Sequence, residues 1–465
     1  MLTIYGDKTR FCDGISRRSF LKIGAFAFPA VAGFTLADVL RTEAATRKRQ
    51  HKAVINIFLA GGPPHQDMWD LKTEAPSDIR GEFKPISTNV SGLQICEVFP
   101  QLAMRADKYS IIRSVVGCAG DHDAYQCMTG WKRSALQSAG GYPSVGSVLW
   151  KLQGAIDPSV PPAVGLAAPT RERRWSDSGS PGFLGAAYTP FKPFMTGDRP
   201  SADTQKLVGA YEGGSGLKLS GITLDQLRNR RKLLDMLDEN RRDLDHDDSV
   251  QALDASFQSA FDLLTSTKMA DALDLSKEDP KTRERYGDGK PYKFQYDGAP
   301  TCNDHLLMAR RLVEAGARCV SLSFGRWDSH GDNFNLVRDH GGKLDQCLSA
   351  LIDDLYERGL NEDVTVVVWG EFGRSPKINK EAGRDHWPQV SSALLFGGGM
   401  KTGQVIGATD PTGSEAAERP VHMQEIMATI YHNVGINAAT NLLEDRTGRP
   451  QFMLEHPDPV AELVG

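Results

Sequence analysis

Acidic residues and histidines recur in five short clusters, and each cluster follows a segment with the composition of a strand or lies shortly after one. The clusters lie in GGPPHQDMWD (61–70), CAGDHDAYQCMTG (118–130), GRWDSHGDNF (325–334), GEFGRSPKIN (370–379) and AGRDHWP (382–388). Carboxylates together with imidazoles are protein ligands for zinc, manganese or iron, whereas oxygen atoms alone suit magnesium or calcium. The pattern predicts a site for one or two divalent metal ions, with zinc, manganese, magnesium and calcium as the candidates.

The predicted metal ligands come from four of these clusters, and they are His65, Asp67, Asp328, His330, Glu371, Asp385 and His386. Two arginines beside them, Arg374 and Arg384, are candidate clamps for an anion, because a guanidinium matches the geometry of phosphate or sulfate. Structural roles are open for the same residues. Asp67 is well placed to cap a helix, Glu371 to pair with Arg374, and either arginine to form a salt bridge with the acids nearby.

Strand-like and helix-like segments alternate in the parts of the chain that carry the clusters. Residues 303–317 and 341–359 read as helices. The strand candidates are HKAVINIFLAGGPP (51–64, ending in a turn), KYSIIRSVVG (108–117), RCVSLSF (318–324), DVTVVVWG (363–370) and SSALLFGGG (391–399). Such alternation predicts a mostly parallel sheet covered by helices on both faces, and ligands bind such sheets at the carboxyl ends of the strands.

The first 45 residues read as a targeting segment. Arg17 and Arg18 are followed by Phe20, Leu21 and Lys22 and then by a mildly apolar run. This pattern is typical of a twin-arginine signal, with possible cleavage near TEAAT (42–46). A retained membrane anchor is the alternative, but the apolar stretch is short and contains a proline. We therefore expect an exported protein, periplasmic or extracellular, that interacts with the export machinery.

The remaining residues, 46–465, read as a single domain. A loop-rich region covers residues 131–220, and an amphipathic helical insertion covers 221–285. The 54 basic and 59 acidic residues give a net charge of −5, so no basic excess points to a nucleic-acid partner. The seven cysteines match no zinc motif; disulfides and isolated buried thiols both remain open.

The order of strands, acids and histidines resembles the alkaline phosphatase superfamily. Within it, the chain is most similar to an exported family, domain of unknown function 1501. The resembling stretches are GGPPHQDMWD, PGFLGAAYTPF, WDSHGDNF, GEFGRSPKIN, GRDHWP and PVHMQEIMATIYHNVGI. This resemblance implies an α/β fold, an alkaline-phosphatase-like three-layer sandwich whose central sheet is mostly parallel, with helices on both faces and a helical insertion.

The resemblance also implies an exported, metal-dependent hydrolase of a phosphate or sulfate ester, acting on a small molecule or a glycan. The chain departs from the superfamily's pattern, because Phe372 stands where a ligand histidine is expected. No hydroxyl or thiol begins the helix after Asp123, and the sulfatase Cys-X-Pro-X-Arg signature is absent. The predicted nucleophile is therefore His122 or a metal-activated water. A non-catalytic module that binds a metal, glycan or partner is the alternative, and a mutase or other transferase is a third.

Overall fold

The computed structural model describes residues 51–166, 175–193, 266–289 and 298–464, with residues 170, 226 and 229. These residues lie within one compact unit that starts at His51. The strands among them are β1 (Ala53–Leu59), β2 (Pro85–Ser87), β3 (Gln94–Cys96), β4 (Ser110–Val116), β5 (Ala163–Gly165), β6 (Cys319–Phe324), β7 (Val364–Trp369), β8 (Gly373–Arg374), β9 (His386–Trp387), β10 (Ser391–Gly397), β11 (Gln404–Ile406), β12 (Ala408–Thr409), β13 (Ala416–Glu418), β14 (Val421–His422), β15 (Leu442–Glu444) and β16 (Pro450–Phe452).

Eight of these strands form the central sheet, in the order β11-β4-β10-β7-β1-β6-β5 with β14 paired to β4. Strand β10 runs antiparallel to both of its neighbours, and the other pairings are parallel. In the centre, Val54 of β1 lies opposite Cys319 on one side and Thr365 on the other. The prediction of a mostly parallel sheet is confirmed, and the carboxyl ends of β1, β6 and β7 meet at one edge.

The α-helices are α1 (His65–Met68), α2 (Ser77–Arg80), α3 (Pro100–Ala103), α4 (Tyr125–Thr129), α5 (Val145–Gln153), α6 (Lys268–Leu273), α7 (Pro280–Tyr286), α8 (Asp304–Ala315), α9 (Asn333–Glu357) and α10 (Met423–Asn433). Short 3₁₀ turns cover Ala106–Lys108, Gln137–Ala139, Gly182–Leu184, Ala186–Tyr188 and Leu275–Lys277. In the described part of the chain, no helix is both long and apolar enough to cross a membrane.

Side chains alternate between the two faces along each strand, so the sheet has apolar side chains on both faces. Helices cover both of these faces. Ile55 and Ile57 join a core built with α8 and α9. Val54 and Phe58 point the other way, into a core built with α4, α5 and α10. Strands buried on both faces need continuous apolar runs, and β1 and β7 have them. The predicted three-layer α/β architecture is therefore confirmed.

The region predicted to be rich in loops, 131–220, contains two regular elements of the fold. Helix α5 packs against the sheet, and the short strand β5 forms its edge beside β6. The proposed insertion, 221–285, lies mostly outside the described residues; its end contains α6 and most of α7. The signal segment also lies outside them. The cysteines that the structure describes, at 96, 118, 127, 302, 319 and 347, are buried and unpaired.

Candidate metal centre

Four residues from three segments of the chain converge at one edge of the sheet: His122, Asp328, His330 and His386. One ligand atom from each lies within 4.8 Å of the others. His122 is in the loop between β4 and α4, Asp328 and His330 follow β6, and His386 begins β9. This spacing suits atoms that share a single cation.

The three imidazoles are oriented by acceptors on their outer nitrogens. Nδ1 lies 3.0 Å from Glu371 in His122, 2.7 Å from Asp385 in His330, and 3.2 Å from the Gly120 carbonyl in His386. Because carboxylates and carbonyls only accept hydrogen bonds, each Nδ1 carries the hydrogen. Each Nε2 is then the atom left to bind a metal, as in carboxylate–histidine–metal arrangements.

All three Nε2 atoms face the Asp328 carboxylate, at 3.4 Å from His122, 3.2 Å from His330 and 3.6 Å from His386. In His386 this atom is buried and has no hydrogen-bond partner. A lone pair directed at a carboxylate is unfavourable unless a cation or a proton lies between them. The donor set, three imidazole nitrogens and one carboxylate oxygen, therefore fits a transition-metal ion.

Without a metal, His122 lies between two carboxylates. Burial alone lowers its pKa, but hydrogen bonds to Asp328 and Glu371 outweigh burial and raise the pKa above the ordinary imidazole value. A raised pKa favours the imidazolium form of His122, in which Nε2 also carries a proton. A metal at Nε2 must displace this proton, because imidazole binds metals in its neutral form. For Asp328, burial raises the pKa, yet His122, His386 and the Arg374 charge hold it well below its usual range.

Glu371 links this centre to the end of β1. Its side chain is fully buried and accepts hydrogen bonds from the backbone N–H groups of Gly61 and Gly62, at 3.0 and 3.1 Å. Gly61 has φ +108°, and a Cβ there would lie 2.4 Å from the backbone nitrogen of Asp328. The GGPP turn therefore needs glycine so that β1 can approach both Glu371 and Asp328.

Arg374 holds the Asp328 carboxylate in place through a buried ion pair. Its guanidinium is fully buried and lies 2.6 Å from the Asp328 carboxylate. It also donates to the carbonyls of Gly61, Gly62 and Arg384. Strands β8 and β9 form a hairpin in which Arg374 lies opposite His386. Arg374 thus joins three loops of the site.

A family model described as "Protein of unknown function (DUF1501)" matches residues 51–464. The chain belongs to this family. The predicted family is thereby confirmed, and the site described above is a feature of a DUF1501 protein. A comparison with curated proteins finds no match.

Several solved structures have low similarity to this DUF1501 chain. The PsFucS1 sulfatase from Pseudoalteromonas sp. is 12% identical over 86% of this chain and 71% of its own, with TM-score 0.35. The phosphonate monoester hydrolase SpPMH from Silicibacter pomeroyi is 11% identical over 84% and 75%, with TM-score 0.37. Ps i-CgsB is 9% identical over 83% and 72%, with TM-score 0.36. Similarity this low carries no argument about function.

Three predicted site residues of the DUF1501 chain, His65, Asp67 and Arg384, are held by contacts with groups outside the cluster. Asp67 accepts from Arg384 at 2.6 and 3.0 Å, and all of these groups are buried. Arg384 also donates to backbone carbonyls, including that of Ile79 at 2.7 Å. His65 lies 2.9 Å from the Gly413 carbonyl, and burial lowers its pKa to about 4. Asp67 and Arg384 therefore form an internal ion pair, as expected when each buried charge needs a partner.

The remaining predicted residues fall into two groups, apart from Arg374, which binds Asp328 at 2.6 Å. Asp328, His330 and His386 share the centre, as does His122, which was predicted only as a nucleophile. Glu371 and Asp385 contact outer imidazole nitrogens. Sequence patterns place all of them at strand ends, but they do not distinguish a ligand from the carboxylate that orients it.

Sequence reasoning missed the rings that enclose His122. The Trp175 ring centroid is 4.3 Å from that of His122, and Phe372 is 5.1 Å from His122 and 4.4 Å from His386. Phe372 follows Glu371 directly, so its position was visible in the sequence. Trp175 comes from the loop-rich region, about 50 positions away from His122, and no local pattern relates the two.

Two side chains near the β4 loop are unsuited to act as nucleophiles. The Thr129 hydroxyl donates to the Tyr125 carbonyl at 2.9 Å, within helix α4. Burial raises the pKa of the Cys118 thiol to about 12, which keeps it protonated at neutral pH.

Proposed function

We propose that this protein is a metal-dependent hydrolase of a phosphate or sulfate ester, with a metal-activated water as the nucleophile. The observation that carries the proposal is the convergence of three Nε2 atoms on Asp328, with every Nδ1 bound to an acceptor. The residues that would hold the metal are His122, Asp328, His330 and His386. A divalent cation bound there would supply Lewis acidity, polarising the ester and activating water.

The other residues have supporting roles in this proposal. Glu371 and Asp385 fix the tautomer and orientation of His122 and His330. Arg374 keeps Asp328 in position and anionic. His330 and Asp385 are about half exposed, at 49% and 59% for their side chains, so substrate approaches from their side. The buried rings of Trp175 and Phe372 pack against His122 and shield it from water.

Water is a better nucleophile than His122 in this arrangement. Both ring nitrogens of His122 are occupied, at 3.0 Å from Glu371 and 3.4 Å from Asp328, and only 9% of the side chain is exposed. Attack through either nitrogen would require His122 to leave one of these carboxylates. We therefore assign His122 to metal binding rather than to covalent catalysis.

A second candidate is a non-catalytic module that binds a metal, glycan or partner. The observation that favours it is the engagement of both predicted anion clamps, Arg374 and Arg384, in buried contacts. Neither guanidinium is exposed to a substrate. Metal binding without turnover is the behaviour expected of this candidate.

Metal analysis of the purified full-length chain tests both candidates. We expect about one transition-metal ion per chain, and we expect His330→Ala to lower its affinity by 10-fold or more. His432→Ala, which changes an exposed histidine in α10, is the matched control and should have no effect. Substoichiometric metal that His330→Ala leaves unchanged would overturn the metal centre.

A panel of phosphate and sulfate esters then separates the two candidates. The hydrolase predicts turnover that a chelator abolishes and that added zinc or manganese restores. Bound metal with no turnover of any ester would favour the binding module. We also propose export by the twin-arginine route, on the basis of residues 1–45.

A further inference from the structure

We propose that the centre prefers esters with one negative charge, such as phosphodiesters or sulfate monoesters, over doubly charged phosphate monoesters. This inference rests on the hydrolase proposed above and specifies its substrate class. It follows from the balance of charges around the cluster.

Three carboxylates contact the imidazoles. Glu371 and Asp385 lie 3.0 and 2.7 Å from the Nδ1 atoms of His122 and His330. Asp328 lies among the Nε2 atoms. Among the lysine and arginine side chains that the structure describes, only Arg374 lies within salt-bridge distance of these three carboxylates.

Arg374 balances one of these charges but does not face the substrate. Its side chain is 0% exposed, and its Nε, Nη1 and Nη2 atoms all donate, to Gly62, Arg384, Gly61 and Asp328. Arg384 is equally buried and binds Asp67. Both guanidiniums are thus held within the protein, where they cannot pair with a substrate anion without breaking these bonds.

Three carboxylates and one guanidinium leave two negative charges, which one divalent cation neutralises. A singly charged ester therefore meets a site that is close to neutral. Among the residues that the structure describes, a second charge on the substrate finds no further lysine or arginine in contact with the cluster, and it is repelled by Asp385 at the exposed side. Like-charge repulsion of this kind is a common source of specificity.

Three substrates that share one leaving group test the preference: bis(4-nitrophenyl) phosphate, 4-nitrophenyl sulfate and 4-nitrophenyl phosphate. The metal-loaded full-length protein is assayed at pH 8, where the last is doubly charged. We expect kcat/KM to be at least about 10-fold higher for one of the singly charged esters than for 4-nitrophenyl phosphate. Whichever of the two is faster distinguishes a phosphodiesterase from a sulfatase.

Asp385→Asn tests the cause of the preference. Asparagine still accepts from His330 Nδ1 but carries no charge. We expect the ratio of kcat/KM, singly over doubly charged, to fall about fivefold. Glu357→Gln makes the same charge change at the last residue of helix α9, ~36 Å along the helix from its first residue, Asn333, and should leave the ratio unchanged.

This inference would be overturned, while the hydrolase stands, by a kcat/KM that is higher for 4-nitrophenyl phosphate than for both singly charged esters. A ratio that Asp385→Asn leaves unchanged would overturn it too. Turnover of none of the three would overturn the hydrolase. Calorimetry with dimethyl phosphate and methyl phosphate then decides the charge preference alone. Tighter binding of dimethyl phosphate supports it, whereas tighter binding of methyl phosphate, or binding of neither, contradicts it.

Discussion

Carboxylates make two different kinds of contact around the cluster, and the proposed metal centre gives each kind its own role. Asp328 lies among three Nε2 atoms, where a metal ligand belongs. Glu371 and Asp385 contact only outer nitrogens of the rings. Such outer carboxylates orient the imidazole and increase its basicity, so their loss weakens metal binding without removing a ligand.

Glu371→Gln should therefore reduce metal affinity by 10- to 100-fold and leave the stoichiometry at saturation unchanged. The amide has one acceptor oxygen, whereas Glu371 accepts from Gly61, Gly62 and His122. Metal titration followed by calorimetry measures the change. Glu97→Gln, on the exposed surface, is the control. An unchanged affinity in Glu371→Gln would contradict the orienting role.

Arg384→Met should destabilise the protein by about 3–5 kcal/mol, because it leaves the Asp67 carboxylate buried without its partner. The double variant Asp67→Leu with Arg384→Met should recover most of this loss, since no buried charge remains. Urea denaturation measures both values. If Arg384→Met is as stable as the wild type, the stabilising role of the internal ion pair is contradicted. Arg384 would then again be a candidate anion clamp.

At the scale of elements, the turn after β1 brings the strand ends together. Gly61→Ala places a Cβ 2.4 Å from the Asp328 backbone nitrogen in addition to the strain of φ +108°. We expect a loss of at least about 3 kcal/mol of stability, together with weaker metal binding. Gly92→Ala, at φ +79° with open space around it, should cost only about 1 kcal/mol. Equal losses in the two variants would contradict the close-approach explanation.

The contact between α9 and α3 makes stability depend on pH. Burial raises the pKa of Asp345 to about 6 from 3.8, although it accepts from the Gln101 and Leu102 N–H groups. A raised folded-state pKa gives stability that is present below pH 4 and lost as pH rises through 6. Between pH 4 and 7.5, the stability of wild type relative to Asp345→Asn should fall by on the order of 3 kcal/mol.

Denaturation curves across this pH range, with Asp353→Asn as the comparison, check the sign. Burial opposes the shift at Asp353, but the bond to Arg105 lowers its pKa below the ordinary value. Its contribution is present above the unfolded-state pKa and lost as pH falls, so the wild-type advantage over Asp353→Asn should grow with pH. The same slope for both variants would contradict the assignment for Asp345.

For the whole molecule, the sequence was sufficient to predict the layers and the edge of the sheet where the site lies. Period and composition are read from local segments, and β1, β4, β6, β7 and β10 all lie within the predicted strands. Such local reasoning could not distinguish the acids that bind an arginine from those that face the imidazoles. Asp67 and Asp328 both follow strands, yet one binds Arg384 and the other faces imidazoles, and this difference depends on distant partners. Strand β5 was missed because three residues are too few to show a period.

If Arg17 and Arg18 form a twin-arginine signal, replacing both with lysine should block export, because the export receptor reads the arginine pair rather than its charge. We expect at least a 10-fold fall in exported protein by immunoblotting of cell fractions. Arg47→Lys with Arg49→Lys preserves charge equally and lies beyond the apolar run, so it should have no effect. Unchanged export of the first variant would contradict the twin-arginine route, whatever the metal centre does.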